Sequence, residues 1–249
     1  MLTRELSSLQ HPFVKHLVKL HKERNYRYQQ REVLLSGIRT IKDLSAMHSF
    51  KCILIEKGYA PQFSFKTEET FVVNAQILKK VTGLESPEPI AAVIAMPEPS
   101  LPAQIRSLLV LNGISDPGNL GTLLRTALAL GWDGAFMTPG TTDPYNDKAL
   151  RAAKGATFNL PLHTGTWEEL RTLLDQRGIT LYAADLHGTS LPKNPPTPYA
   201  LALGNESHGL QSEIQKKAQL ITIPMSEKME SLNVASAGAI LMHALRGTP

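Results

Sequence analysis

Three loops in the C-terminal three-fifths of this 249-residue chain hold residue types that chemistry needs, and each follows a short apolar run. The first is Asn112-Gly113-Ile114-Ser115-Asp116-Pro117-Gly118-Asn119-Leu120-Gly121, leading into Thr122-Leu123-Leu124-Arg125. Its glycines allow tight turns and close main-chain approach, and Asn119 stands where it can cap the helix that follows. Arg125 sits among Leu120, Leu123, Leu124, Ala127 and Leu128; taken alone, such an arginine more often faces solvent than a substrate. The second loop, Gly204-Asn205-Glu206-Ser207-His208-Gly209, closes the apolar run Leu201–Leu203, and its first glycine lets the main chain approach a planar ligand. Glu206, taken alone, reads as a turn residue. The third begins at Ile223-Pro224-Met225 and reaches Glu230-Ser231-Leu232-Asn233, where Ser231 or Asn233 can cap a helix opening with Val234-Ala235-Ser236-Ala237-Gly238-Ala239. A glycine inside a helix costs about 1 kcal/mol relative to alanine, so Gly238 predicts a tight contact with another backbone.

These loops need elements to hold them. Leu108–Leu111 reads as a buried strand, and the helix Leu120–Leu130 closes at Gly131. Gly134–Met137, Thr180–Ala184, Tyr199–Leu203 and Leu220–Ile223 are the other predicted strands. Asp147–Lys154, Glu168–Arg177 and Asn233–Arg246 are the other predicted helices. Short apolar strands alternating with helices predict a mostly parallel, helix-covered sheet. Such sheets bind ligands beyond the carboxyl ends of their strands, where all three loops fall. The dinucleotide fingerprint G-x-G-x-x-G does not fit the first loop, and no acid falls at the expected later strand end. Both facts argue against a nicotinamide dehydrogenase.

The front of the chain differs in charge. Residues 11–24 read as an amphipathic helix with Val14, Leu17 and Val18 on one face; further helices are predicted near 38–48 and 75–82. Strands are predicted at 51–56, 71–73 and 91–95. Pro97, Pro99 and Pro102 read as a stiff linker, so the expected domains are residues 1–98 and 106–249, joined by 99–105. Residues 1–100 carry 14 Lys and Arg against 10 Asp and Glu, whereas 101–249 carry 12 of each. The excess concentrates at Lys15, Lys19, Lys22, Arg24, Arg27 and Arg31, with Tyr26 and Tyr28 interleaved where they could stack on unpaired bases. By itself this run is a solvated helix face. Joined to a neutral second domain, it fits a nucleic-acid grip attached to a separate chemical domain.

Composition also excludes some classes. No apolar run approaches the roughly 20 residues of a membrane span. Met1–Glu5 lacks the apolar core of a signal peptide, so a cytoplasmic protein without a membrane partner is expected. Cys52, the one cysteine, lies in an apolar run and is expected to be a buried small hydrophobe. His11, His16 and His21 are five apart, which scatters them around a helix, and nothing follows zinc-ligand spacing; no metal is expected.

Taken in order, Asn119 with Arg125, Gly-Asn-Glu-x-x-Gly at 204–209, and Ile-Pro-Met at 223–225 with Ser231-Leu232-Asn233 resemble the three motifs of the SpoU/TrmH family. That family comprises RNA 2′-O-ribose methyltransferases within the SPOUT class. The resemblance spans about residues 108–246. Ser8–Lys15 and Ser86–Val93 resemble the start and end of the L30e-like substrate-binding domain often fused to it. Ser36-Gly37 stands where an acid–glycine pair is common there, and Pro89 where glycine is common.

The resemblance implies an α/β architecture: a C-terminal SPOUT domain with a parallel sheet and a deep trefoil knot, plus a smaller N-terminal α/β, L30e-like domain. A knot would be an exception among protein chains. It implies S-adenosyl-L-methionine as cofactor and no metal. Main-chain groups at Gly204, Ile223 and Leu232 would hold that cofactor, with Leu203, Asn205 and Met225 beside it. Arg125 is implied as the catalytic residue, with Asn119, Ser231 and Asn233 positioning ribose and arginine and Glu206 ordering the site. An arginine is effectively always protonated, so the physical role expected of Arg125 is a phosphate clamp that steadies the 2′-oxygen. The resemblance further implies a homodimer with shared active sites and structured RNA as substrate, rRNA ahead of tRNA. Two alternatives stay open: a non-catalytic knotted RNA-binding protein and a base-methylating SPOUT enzyme. The pairs Asn119/Arg125 and Ser231/Asn233 favour ribose chemistry.

Overall fold

The computed structural model describes residues 2–192, 195–205, 208–226 and 228–246. The chain forms two units, Met1–Glu98 with Tyr145–Gly155, and Pro99–Pro144 with Ala156–Pro249.

In the first unit, β1 (Leu2–Leu6), β2 (Glu32–Ser36), β3 (Ser49–Glu56), β4 (Lys66–Val73) and β5 (Ile90–Ala95) make one mixed sheet in the order β1-β4-β3-β5-β2. Strand β4 runs parallel to β1 and β3, while β5 runs antiparallel to β2 and β3. Its helices are α1 (Pro12–Lys22), α2 (Arg24–Gln30), α3 (Ile38–Ser45) and α4 (Ala75–Thr82). The predicted helix at 11–24 is α1, which stops at the extended residue Glu23, and a second helix, α2, follows it. On α1 the pattern holds: Val14, Leu17 and Leu20 are buried against Leu54, Phe71, Ile77 and Val81, while Lys15, Lys19 and Lys22 stay exposed. Helix α4 has a cap at each end, which fixes its bounds. The Asn74 side chain accepts from the Ile77 N–H, and Gly83 takes the left-handed conformation. Cys52 is buried in β3, and burial pushes its thiol up to about 12, as suits an inert core residue.

The second unit is built on β6 (Ser107–Leu111), β7 (Gly134–Met137), β8 (Leu162–Thr164), β9 (Thr180–Ser190), β10 (Tyr199–Leu203) and β11 (Gln219–Thr222). The six strands are parallel throughout, in the order β11-β9-β10-β6-β7-β8. Strands β6, β7 and β10 are buried along their whole length, as strands covered on both faces must be. The remaining helices are α5 (Pro117–Ala129), α6 (Asp147–Ala153), α7 (Ala156–Asn159), α8 (Trp167–Gln176), α9 (Ser212–Lys217) and α10 (Val234–Arg246); α6 groups with the first unit.

One face of this sheet presents Leu108, Val110, Ala200 and Ala202 to Leu170 and Leu174 of α8 and Ile214 of α9. Alternation sends Leu203 to the other face, where α5 and α10 pack together. Gly238 sits at that junction: a Cβ there would run into Leu123 Cδ2 of α5 and Leu203 Cδ1 of β10. Close packing explains this helix-interior glycine, but its neighbours are leucine side chains rather than the second backbone that was expected. Among the described residues, no helix is long and apolar enough to cross a membrane.

Candidate active site

Two of the three loops are tied together by one buried amide. Asn112, 2% exposed at the end of β6, donates its N–H to Leu203 O (2.9 Å) and its Nδ2 to Thr138 Oγ1 (2.8 Å). Its Oδ1 accepts from the N–H of Gln211 (2.9 Å). Asn205 completes the tie, donating Nδ2 to Gly113 O (2.7 Å) and exchanging main-chain bonds with Gly209 (2.9 Å each way). A satisfied polar network of this kind holds its loops in a single arrangement. Sequence patterning assigns Asn112 no role. Its signal was a polar residue placed directly after a wholly apolar strand.

Beside these loops lies a cavity of about 470 Å³. Leu203, Gly204, Asn205, Ile223, Met225 and Leu232, the six residues expected to hold a cofactor, all line it, as do Ser231 and Asn233. At Gly204 a Cβ would stand 2.5 Å from Gly209 C and 2.7 Å from Leu210 N, so the loop can fold back on itself only with glycine there. Asp185, Leu186 and His187 form a further wall, supplied by the continuation of β9. Strand patterning ends β9 at Ala184, because Asp-Leu-His-Gly carries no apolar alternation.

The cap of α5 is Asp116 rather than Asn119: the Asp116 carboxylate accepts the Asn119 N–H at 2.8 Å. An acid beside Pro117 at the helix start suits that position, and it leaves the Asn119 side chain for another partner. That partner is Asn233, whose Nδ2 donates to Asn119 Oδ1 at 3.0 Å. Asn233 Oδ1 meanwhile accepts from the N–H groups of Ala235 (2.9 Å) and Ser236 (3.3 Å), capping α10. Arg125 is exposed further along α5, outside the cavity lining. Glu206 lies outside the described residues.

The basic stretch of the first unit divides. Lys15, Lys19, Lys22 and Arg24 are exposed, with Lys19 and Arg24 each 5.4 Å from the ring centres of Tyr26 and Tyr28 respectively. Arg27 is 4% exposed; its Nη1 donates to Leu20 O (2.8 Å) and His21 O (2.9 Å), satisfying carbonyls at the end of α1. Arg31 donates to Pro97 O (2.8 Å) and faces the Glu98 carboxylate at 2.9 Å. Both arginines are therefore occupied within the protein, contrary to the expectation that they face RNA. The tyrosines are half-buried as well: Tyr26 bonds His16 Nδ1 through its hydroxyl (2.9 Å), and Tyr28 packs edge-on against Tyr145. Among the described residues, no group of three His, Cys, Asp or Glu side chains is arranged to hold a metal.

Known proteins resemble this chain in sequence and fold. Residues 106–243 match the SpoU rRNA Methylase family, and residues 11–92 match the MRM3-like substrate binding domain. The chain is 32% identical over 249 residues to the Bacillus subtilis 23S rRNA (guanosine(2553)-2'-O)-methyltransferase RlmP, covering 98% of this chain and 100% of that one. It is 29% identical over 247 residues to the 23S rRNA (uridine(2479)-2'-O)-methyltransferase of Streptomyces viridochromogenes, covering 90% and 85%. An AdoMet-bound rRNA methyltransferase from Sinorhizobium meliloti aligns with a TM-score of 0.83 at 25% identity, covering 98% and 97%. With a catalytic-domain match over more than half its length and a full-length relative, this chain belongs to the SpoU rRNA methylase family.

Proposed function

We propose that the protein transfers a methyl group from S-adenosyl-L-methionine to a ribose 2′-hydroxyl of ribosomal RNA. The observation that carries this reading is the cavity of about 470 Å³, with the Asn119–Asn233 bridge at its edge. Its volume lies within the roughly 300–1,000 Å³ of small-molecule sites. The lining fits the cofactor: Leu203, Leu210 and Leu241 can enclose an adenine, and main-chain groups at Gly204, Ile223 and Leu232 can bond its polar parts. When bound, the cofactor supplies an electrophilic methyl group on sulfur.

The chain's own residues do the rest. In-line attack needs the ribose oxygen aligned, its growing charge steadied and its proton released to water as the methyl–sulfur bond breaks. Asn119 and Asn233, locked to each other, position the ribose together with Ser231. Arg125 clamps the phosphate beside the 2′-hydroxyl and stabilises the oxygen electrostatically. The family resemblance assigns Glu206 a part in ordering the site. No metal is called for, because a neutral leaving group needs no Lewis acid.

The exposed position of Arg125 supports a homodimer in which each subunit's arginine completes the other's site. The small residues that open α10, with Gly238 pressed against Leu123 and Leu203, support knotted threading of the C-terminal segment. Lys15, Lys19, Lys22 and Arg24 make the first unit the RNA grip. Ribosomal RNA is favoured over tRNA because both named relatives act on 23S rRNA. Those two methylate different nucleotides, so neither target carries over. A ribosomal substrate goes with a cytoplasmic protein.

The test is to incubate purified protein with methyl-labelled S-adenosylmethionine and separate unmodified rRNA and tRNA pools, then digest to nucleosides for mass spectrometry. A labelled 2′-O-methyl nucleoside from rRNA is expected. Label on a base, or in tRNA alone, overturns the reading. In the same assay Arg125→Ala should lose at least about 100-fold in turnover. Its cofactor affinity should stay within about twofold; equal loss of both overturns the division of roles.

A further inference from the structure

Strand β9 carries a built irregularity. Leu220 of β11 pairs with Ala183, but the next residue, Ile221, pairs with Thr189. Ala184, Asp185, Leu186, His187 and Gly188 therefore bulge out of the ladder, and the first four line the cavity. The bulge is held at both ends. Gly188 at its foot lies so close to β11 that a Cβ would stand 2.6 Å from Ile221 N and C. At its head, Asp185 Oδ1 accepts from the His187 N–H (2.8 Å), closing a tight turn, while Oδ2 lies 3.4 Å from Gln215 Nε2 of α9.

Charge singles out Asp185. Among the described residues lining the cavity it is the only carboxylate, and none is Lys or Arg. His187 is the one other titratable side chain there. In a half-enclosed site with apolar walls, a single fixed charge is felt across several ångströms, whether or not it touches the ligand.

We propose that Asp185 is a charge-selecting residue, which holds a cofactor carrying an extra positive charge in preference to its neutral counterpart. This rests on the reading of the cavity as the S-adenosylmethionine site. The sulfonium makes that molecule a net cation, whereas the thioether product, S-adenosylhomocysteine, is a zwitterion with no net charge. Asp185 therefore loosens its hold when the methyl group leaves. A residue that merely accepted bonds from the ribose hydroxyls common to both molecules would not distinguish them.

The experiment is calorimetric titration of the full chain with three probes: S-adenosylmethionine, the amine analogue sinefungin, which keeps the positive charge, and S-adenosylhomocysteine. Asp185→Asn is expected to weaken the first two about tenfold and the third by less than about twofold. The asparagine keeps an acceptor for the His187 N–H, and unchanged product binding shows that the cavity is intact. Asp185→Glu keeps the charge and should keep the preference, while Asp185→Ser should lose it; this pair decides the matter if the asparagine variant misfolds. Leu186→Ser, on the same bulge, should affect all three probes alike. Equal weakening of the three by Asp185→Asn, or no change, overturns the proposal. A wild-type protein that binds none of them overturns instead the reading of the cavity, and this proposal with it.

Discussion

Asn233 Nδ2 donates to Asn119 Oδ1 at 3.0 Å across 114 residues of chain, while the same side chain caps α10 through its oxygen. One amide thus fixes where α10 starts and how α5 is turned against it, and Arg125 is carried by α5. Asn233→Ala should cost about 1 kcal/mol for the lost cap. Asn233→Asp keeps the capping oxygen but sets two acceptors face to face at Asn119. It should retain most of that stability and lose most of the turnover. Urea melts beside methyl-transfer rates separate the two effects, and an active aspartate variant would show that the bridge is unnecessary.

Gly238→Ala sets two effects against each other. Helix propensity favours alanine by about 1 kcal/mol. The new methyl would meet Leu123 and Leu203, and overpacking of this kind costs about 1–3 kcal/mol. The clash should win, with net destabilisation of about 1 kcal/mol in chemical denaturation. A more stable variant would mean that α5 and α10 can part without cost.

The exposed and buried bases of the first unit should behave differently. Reversing Lys15, Lys19 or Lys22 to Glu should weaken RNA binding and lower the salt slope by roughly 0.7–0.9 for each phosphate left without its cation. Arg27→Ala should instead lower thermal stability, since its guanidinium satisfies carbonyls at the end of α1. Binding at several salt concentrations, read beside melting curves, tells the classes apart. A steep fall in salt slope for Arg27→Ala in folded protein would return that residue to the RNA surface.

His21 makes the first unit sensitive to acid. Burial first, and then the charges of Arg27, Lys22 and Arg151, hold its imidazole below the ordinary value of 6.5. The unfolded chain therefore takes up the proton first as pH falls. The contribution of His21 is complete above pH 6.5 and is lost as pH falls toward the lowered folded value. His21→Gln should flatten this part of the stability curve when urea melts at about pH 7.5 and about pH 5.5 are compared. An unchanged acid slope in the variant would assign the sensitivity to another group.

Residues whose neighbours are apolar were the legible ones. Gly134–Met137, Tyr199–Leu203 and Ala75–Thr82 begin and end as their patterns predict, because burial or a clear cap sets each bound. Leu2–Leu6 and Glu32–Ser36 went unread; each is an edge strand whose pairing depends on partners far along the chain. The cofactor-type residues of the second and third loops were found through motif resemblance, and they do line one cavity. Asp185 and His187 were not found, because a bulge is a property of the pairing between β9 and β11 and leaves no period in either strand. Arg27 misled for a related reason: its charge is visible in the sequence, whereas the carbonyls it satisfies appear only when α1 ends.

The cavity's walls come from residues 184–241, while β6, β7, β8 and α5 all precede them. A growing chain can complete that earlier half of the sheet before any binding site exists, and the last wall arrives with α10. A ligand held there stabilises only the state in which β9 and α10 are both in place, by about 2.7 kcal/mol at a concentration 100 times Kd. The methyl donor thus acts as an inspector of folding as well as a reagent. In cells short of it, newly made copies would linger longer in the half-built state, where proteases find them.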